Sequence, residues 1–156
     1  MDSSYDPKAI RQRIRAILKS PRSREARLQA ICEELKTSVP HYDWVGFYLV
    51  DEEAEEELIL GPYAGEPTEH VRIKFGQGIC GQAASTREPF IVQDVTQETN
   101  YLSCSPDVRS EIVLPIFNED QLVGELDIDS HDLAPFSEAD RRLLDQICTW
   151  VAPHLA

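Results

Sequence analysis

The side chains of this sequence with the clearest chemical potential are three carboxylates, Glu111, Asp127 and Asp129, and two cysteines, Cys80 and Cys104. Residues 112–117 and 122–129 are apolar, β-branched runs joined by Asn118-Glu119-Asp120, the pattern of a β-hairpin. With a three-residue turn, Phe117 faces Gln121. Counting back sets Ile112 opposite Leu126, Leu114 opposite Gly124 and Ile116 opposite Leu122, which makes one apolar face. The other face then pairs Glu111 with Asp127 and Val113 with Glu125, with Asp129 two residues further on. Side chains alternate with period two, so Glu111, Asp127 and Asp129 share a face. Like charges opposed on a sheet repel until one carboxyl takes a proton or a cation arrives. The face is open to three readings: carboxylates solvated by water, a magnesium or calcium site, or a pocket for a ligand amine with one carboxyl kept protonated as a donor. The metal reading is the weakest, because the face offers only carboxylates and no loop cage.

The cysteines divide by context. Cys32 and Cys148 lie on apolar helical stripes and read as small core residues. Cys80 sits in a short helical stretch, 79–85, after the turn Gly76-Gln77-Gly78. It reads equally as a buried helix residue or as a resolving thiol. Cys104 lies in a long polar loop, 96–109, of a length that is usually functional or mobile. No C-x-x-C or H-x-x-x-H spacing marks a zinc site. Residues 1–7 carry no export signal, which argues against structural disulfides and for a cytoplasmic protein. A cysteine with a role here is therefore read as redox or nucleophilic. His41, His70, His131 and His154 have no constellation around them and default to the surface.

The elements that must position these groups are readable in order. Ile10, Ile14, Ile17 and Leu18 recur at helical spacing over 6–19, and Leu28, Ile31, Cys32 and Leu35 do so over 23–37. Strands follow at 44–50, 58–60, 71–75 and 90–92, then the hairpin. Ser137 is the expected N-cap of a closing helix whose apolar face is Leu143, Leu144, Ile147, Cys148 and Val151. Helices, antiparallel strands and a final helix make an α+β sandwich around one sheet. A length of 156 residues suits one domain, and no apolar run approaches a membrane span. The chain carries 15 Lys and Arg against 28 Asp and Glu, a net charge of −13, and such a field repels nucleic acid. Basic residues crowd the first helices and acidic ones residues 51–57; both read as solvated faces.

Four segments standing in order resemble a known family. They are Trp44-Val45-Gly46-Phe47-Tyr48, Gly76-Gln77-Gly78-Ile79-Cys80-Gly81, Cys104 followed by Ser110-Glu111-Ile112-Val113-Leu114-Pro115, and Gly124-Glu125-Leu126-Asp127-Ile128-Asp129-Ser130. Each is weak alone; together they resemble the free methionine-R-sulfoxide reductases, stand-alone GAF domains, over residues 42 to the end. The resemblance implies a single GAF-like, PAS-related domain over 1–156, with leading helices in 1–38 and the sheet core and closing helix in 42–156. It implies a six-stranded antiparallel sheet flanked by helices, with a ligand pocket under long loops. It also implies reduction of free methionine-R-sulfoxide: Cys104 attacks the sulfoxide, a sulfenic acid remains, a second cysteine closes a disulfide, and thioredoxin reduces it. Glu111, Asp127 and Asp129 would hold the substrate and supply a proton, Trp44 and Tyr48 would line the pocket, and no bound cofactor is expected. A carboxyl raised by like-charged neighbours suits the task, since the sulfoxide oxygen leaves only when protonated.

One departure stands out. The family's first cysteine, ten residues before Cys80, is His70 here. Cys80 could take over as resolving thiol, an outside thiol could reduce the sulfenic acid directly, or the pocket could survive without the activity. The alternative function is accordingly a GAF module that senses a small amine-bearing ligand. Pairing of two copies through the leading helices is compatible with either.

Overall fold

Asp6 and Ser23 start the first two helices. The structure, a computed structural model, describes residues 5–54, 56–102 and 105–155, so Cys104 lies outside the described residues. The Asp6 side chain accepts from the amides of Lys8 and Ala9, with Pro7 in the first turn, and α1 spans Pro7–Lys19. Ser23 accepts from the Ala26 amide at the start of α2, Arg24–Ser38. Strands β1 (Trp44–Val50), β2 (Glu57–Ala64) and β3 (Arg72–Lys74) lead to helix α3 (Gly78–Thr86). After β4 (Phe90–Val92) and a 3-10 turn at Val95–Gln97 come β5 (Ser110–Asn118), β6 (Gln121–Ser130) and α4 (Glu138–Leu155). The strands form one sheet in the order β3-β2-β1-β6-β5-β4, and every neighbouring pair is antiparallel. This is the expected α+β sandwich. Among the described residues no helix is long and apolar enough to cross a membrane.

Two strands differ from expectation for identifiable reasons. β2 runs on through Gly61-Pro62 to Ala64, where the sequence reading ended it at 60. The β1–β2 register slips between Gly46 and Tyr48, so Pro62 falls in a bulge where its missing N–H breaks no ladder bond. The β5–β6 turn has two residues, not three: Asn118 pairs with Gln121, and Glu119 takes φ 58°. A second irregularity follows at Ile116/Phe117. The true pairing is Glu111 with Asp129, Val113 with Asp127 and Pro115 with Glu125, two residues from the expected one. Two residues are one full side-chain period, so every residue keeps its face.

The sheet has two covered faces. On one, Val45, Phe47, Leu114, Leu126 and Ile128 pack against Ile10 of α1, Ile31 of α2 and Leu144 and Ile147 of α4. The leading helices thus share the main core. On the other, Trp44, Tyr48, Leu58 and Val113 meet Ile79, Cys80 and Ala83 of α3.

The start of α4 is tied down by Asp140. Ser137 and Asp140 form a reciprocal cap: the Asp140 amide donates to Ser137 Oγ at 3.2 Å, and the Ser137 amide to Asp140 Oδ2 at 2.7 Å. The same carboxylate accepts from Tyr42 Oη at 2.6 Å and Tyr5 Oη at 2.7 Å, and His41 Nε2 lies 3.2 Å away. His41 is therefore a structural partner and not the surface residue expected from sequence. Burial alone would raise the Asp140 pKa; the hydrogen bonds from His41, Tyr42 and Tyr5 outweigh it and hold the carboxyl well below the usual range.

Asp140→Ala leaves the buried Tyr42 hydroxyl and the Ser137 amide without an acceptor. At about 1–3 kcal/mol for each orphaned buried group, the variant should lose roughly 2–4 kcal/mol in urea unfolding at pH 7. A depressed native carboxyl stabilises above its unfolded pKa, about 3.9, and less as pH falls through the native value. The gap between parent and variant should therefore be full at pH 7 and shrink below about pH 4.

Candidate functional site

The carboxylates of β5 and β6 are not solvated. Glu111, Asp127 and Asp129 are each less than 5% exposed, and Glu125 is fully buried. The reading of this face as open to water fails because α3 and the following loop lie over it. Small residues let α3 approach: Gly78, Gly81, Ala83 and Ala84 are all buried in it. Gly78 has φ +64°, and a Cβ there would sit 2.8 Å from Leu102 Cγ. Asn100 fastens the loop to this turn. Its Oδ1 accepts from the Gly78 amide at 2.9 Å, its Nδ2 donates to the Gly76 carbonyl at 2.7 Å, and Gln82 Nε2 donates to its carbonyl at 2.9 Å. The chain is thus held against α3 up to Leu102, two residues before Cys104.

β1 supplies the aromatic wall. Across the β1–β6 pair Trp44 faces Asp129, Gly46 faces Asp127 and Tyr48 faces Glu125. A Cβ on Gly46 would collide with the Trp44 ring, so the glycine lets the indole lie flat along the strand. Trp44 stacks on Tyr63 at 5.4 Å between centroids and lies 6.5 Å from Tyr48. Trp44 Nε1 donates to the Glu66 carbonyl, and Tyr48 Oη to the His70 carbonyl. Both strand ends of the pocket are therefore pinned to the β2–β3 connection.

Among the described residues two cavities open on this face. The smaller, about 10 Å³, is lined by Tyr48, His70, Cys80, Leu102, Glu111 and Asp127. The larger, about 270 Å³, is lined by Lys36, Trp44, Glu66, Ser105, Asp129 and His131, among others. The structure thus brings Tyr48, Cys80, Glu111 and Asp127 around one space and Trp44 and Asp129 around its neighbour. Leu102 belongs to the first lining and Ser105 to the second, so Cys104 stands in the sequence between a residue of each. His70 and His131 line the cavities, a placement that their isolation in the sequence did not suggest.

Cys80 Sγ and carboxylate oxygens of Glu111 and Asp127 all lie within 4.8 Å of one another. Burial, together with the negative charge of Asp127, Glu125 and Glu111, pushes the Cys80 thiol well above its ordinary pKa. Burial likewise raises Asp127, and burial plus the neighbouring Asp127 raises Glu125. The charged forms of all three groups are thus disfavoured here. Cys32 and Cys148 are core residues, as expected, with thiols raised chiefly by burial.

Sequence reasoning missed Glu125 as a site residue. It lay on the right face, two residues before Asp127, but no spacing rule singled it out. Among the described residues neither of its oxygens meets a donor in hydrogen-bond geometry, and the Cys80 thiol is the neighbour that favours its charged form.

A GAF domain model matches residues 23–155. Over 86% of its length the chain is 39% identical to GAF domain-containing protein A of Dictyostelium discoideum, covering 82% of that protein. It is 40% identical to the free methionine-R-sulfoxide reductase of Saccharomyces cerevisiae over 67% of this chain and 58% of that one. The structure superposes on the free methionine-R-sulfoxide reductase of Neisseria meningitidis, determined in complex with its substrate, with a TM-score of 0.88. That match has 33% identity and covers 99% of this chain and 93% of the other.

An unpartnered buried carboxyl is a cost to folding, so Glu125→Val should raise stability, by about 1–3 kcal/mol at neutral pH. A native pKa raised above the unfolded value makes the parent lose stability as pH rises from about 4.3 toward the native value. The advantage of the variant in thermal unfolding should therefore grow as pH rises above about 4.3. An advantage that is flat with pH would mean that Glu125 does not titrate abnormally.

Proposed function

The chain belongs to the GAF-domain family, among its free methionine-R-sulfoxide reductases, and from that premise we propose that it reduces free methionine-R-sulfoxide to methionine with Cys104 as the nucleophile. The observation that carries the reading is the buried carboxylate set under an aromatic wall. Four acids removed from water suit a ligand that brings its own ammonium and needs a proton.

Each group has a part in the proposal. The Cys104 thiolate attacks the sulfoxide, and the oxygen ends on its sulfur as a sulfenic acid while methionine departs. Asp127, raised by burial, donates the proton that the sulfoxide oxygen needs, with Glu111 beside it as the partner that shares it. Asp129 faces the larger cavity and takes the substrate ammonium through a charge-assisted hydrogen bond. That cavity, about 270 Å³, has room for a free amino acid, whereas the smaller one holds about one water. Trp44 and Tyr48 enclose the thioether end.

Recycling is proposed to bypass Cys80. A resolving thiol attacks as thiolate, and burial and carboxylates hold Cys80 protonated. An external dithiol of the thioredoxin kind would instead attack the Cys104 sulfenic acid, releasing water, and its second thiol would free Cys104 and leave the reductant oxidised. This route dispenses with the cysteine that His70 replaces.

The test is turnover of free methionine-R-sulfoxide with dithiothreitol as reductant. The parent protein should be active, Cys104→Ser inactive, and Asp127→Asn lowered in kcat by about 10²-fold or more. Without turnover in the parent, the chain would stand as a GAF module that binds a small amine-bearing ligand without converting it.

A further inference from the structure

We propose that Cys80, Glu111 and Asp127 form a binding site for one thiophilic divalent cation of the zinc class, beside the buried carboxyl of Glu125. The sequence offered only carboxylates on this face, which argued against a metal. The fold adds what was missing, because α3 delivers the Cys80 sulfur into the carboxylate set. Its Sγ and the two carboxylate oxygens lie within 4.8 Å of one another. Sulfur and oxygen ligands of a tetrahedral zinc ion stand about 3.5 Å apart, so binding needs the three to close by about 1.3 Å at most.

Two independent observations point to an ion as the occupant. The first is size. The cavity that these residues line is about 10 Å³, the space of one water. A monatomic ion fits it as it stands; an amino acid does not. The second is Glu125. It is fully buried beside the Cys80 thiol, and among the described residues neither of its oxygens, nor Asp127 Oδ1, has a partner in hydrogen-bond geometry. Buried polar atoms are almost always satisfied, and a dication beside them supplies the missing compensation. His70 lines the same cavity and brings an imidazole to its wall.

The donor set selects among cations. Magnesium and calcium take six or more oxygen ligands and avoid sulfur. One thiolate with two carboxylates suits zinc or cadmium. Binding displaces the Cys80 proton and the protons held by the acids, so affinity should rise with pH. The ion would also occupy the acids proposed to protonate the substrate. Inhibition of turnover by zinc follows from the reductase reading, but the binding itself does not depend on it.

The experiment therefore reads binding directly. The full chain carrying Cys104→Ser is titrated with cadmium chloride, and the ultraviolet charge-transfer band of a cadmium thiolate is followed. The expected result is a band that saturates at one equivalent and disappears when Cys80→Ser is added. Asp127→Asn, which keeps the thiol, should weaken the apparent affinity at least about tenfold, so the proposal stays testable even if Cys80→Ser fails to fold. No band in excess cadmium, a band that survives the loss of Cys80, or an affinity indifferent to Asp127→Asn would each overturn it.

Discussion

The site depends on one constraint: an antiparallel sheet covered on both faces must send alternate side chains into two different interiors. On β5 and β6 the residues facing α1, α2 and α4 are Ile112, Leu114, Leu126 and Ile128. The alternate residues Glu111, Asp127 and Asp129 must enter the second interior, Glu111 and Asp127 beside α3 and Asp129 beside Trp44. Burying carboxylates in this way is costly. It is tolerated because the opposite face carries the larger core and fixes the strands in place. The glycine- and alanine-rich face of α3 then closes over the acids without bulk of its own, and the Asn100 hydrogen bonds hold the loop down. A larger side chain at Gly78 would meet Leu102 and lift the cover from the acids.

Two buried aspartates in the chain have opposite fates, and the difference is the donor count. Asp140 is as buried as Asp127, yet it collects Tyr5, Tyr42, Ser137 and His41 and stays ionised. Asp127 has acids and a thiol for neighbours, and its Oδ1 has no partner. Desolvation acts on both; the four donors around Asp140 outweigh it, whereas the hydrogen bonds that Glu111 and Cys80 offer Asp127 do not. One aspartate is therefore a fixed anion that ties α4 to the N-terminal segment. The other is a group whose proton can be exchanged for something else, as a binding or catalytic acid requires.

Much of this was legible in the sequence because it rests on periodicity. The helices at the start and end, β1 and β4, and the shared face of Glu111, Asp127 and Asp129 follow from spacing alone. The β5–β6 register did not follow, since a two-residue turn plus a bulge and a simple three-residue turn are indistinguishable without the twist of the strands. The error was even-numbered, so the face was right although each partner was wrong. Contacts between distant segments were invisible: no pattern links Tyr5 and His41 to Asp140, or sets Cys80 among the carboxylates. Glu125 was placed on the correct face and passed over, because a lone acid becomes informative only when its burial and missing partners are seen.

The depth of Cys80 bears on how a cysteine enzyme of this kind could work with His70 where the family resemblance leads one to expect a thiol. Disulfide exchange needs a thiolate, and a thiolate needs a nearby positive charge or water. The charges that act on Cys80 among the described residues are those of three acids, which oppose the thiolate. The surroundings that make it a poor partner for a sulfenic acid would make it a good ligand, since a dication supplies the charge that the thiolate lacks and neutralises the acids at the same time. The same desolvation thus separates two chemistries that sulfur usually combines. On the proposed scheme it would leave redox turnover to the loop cysteine and an external dithiol, and give the pocket floor a thiol that responds to metal.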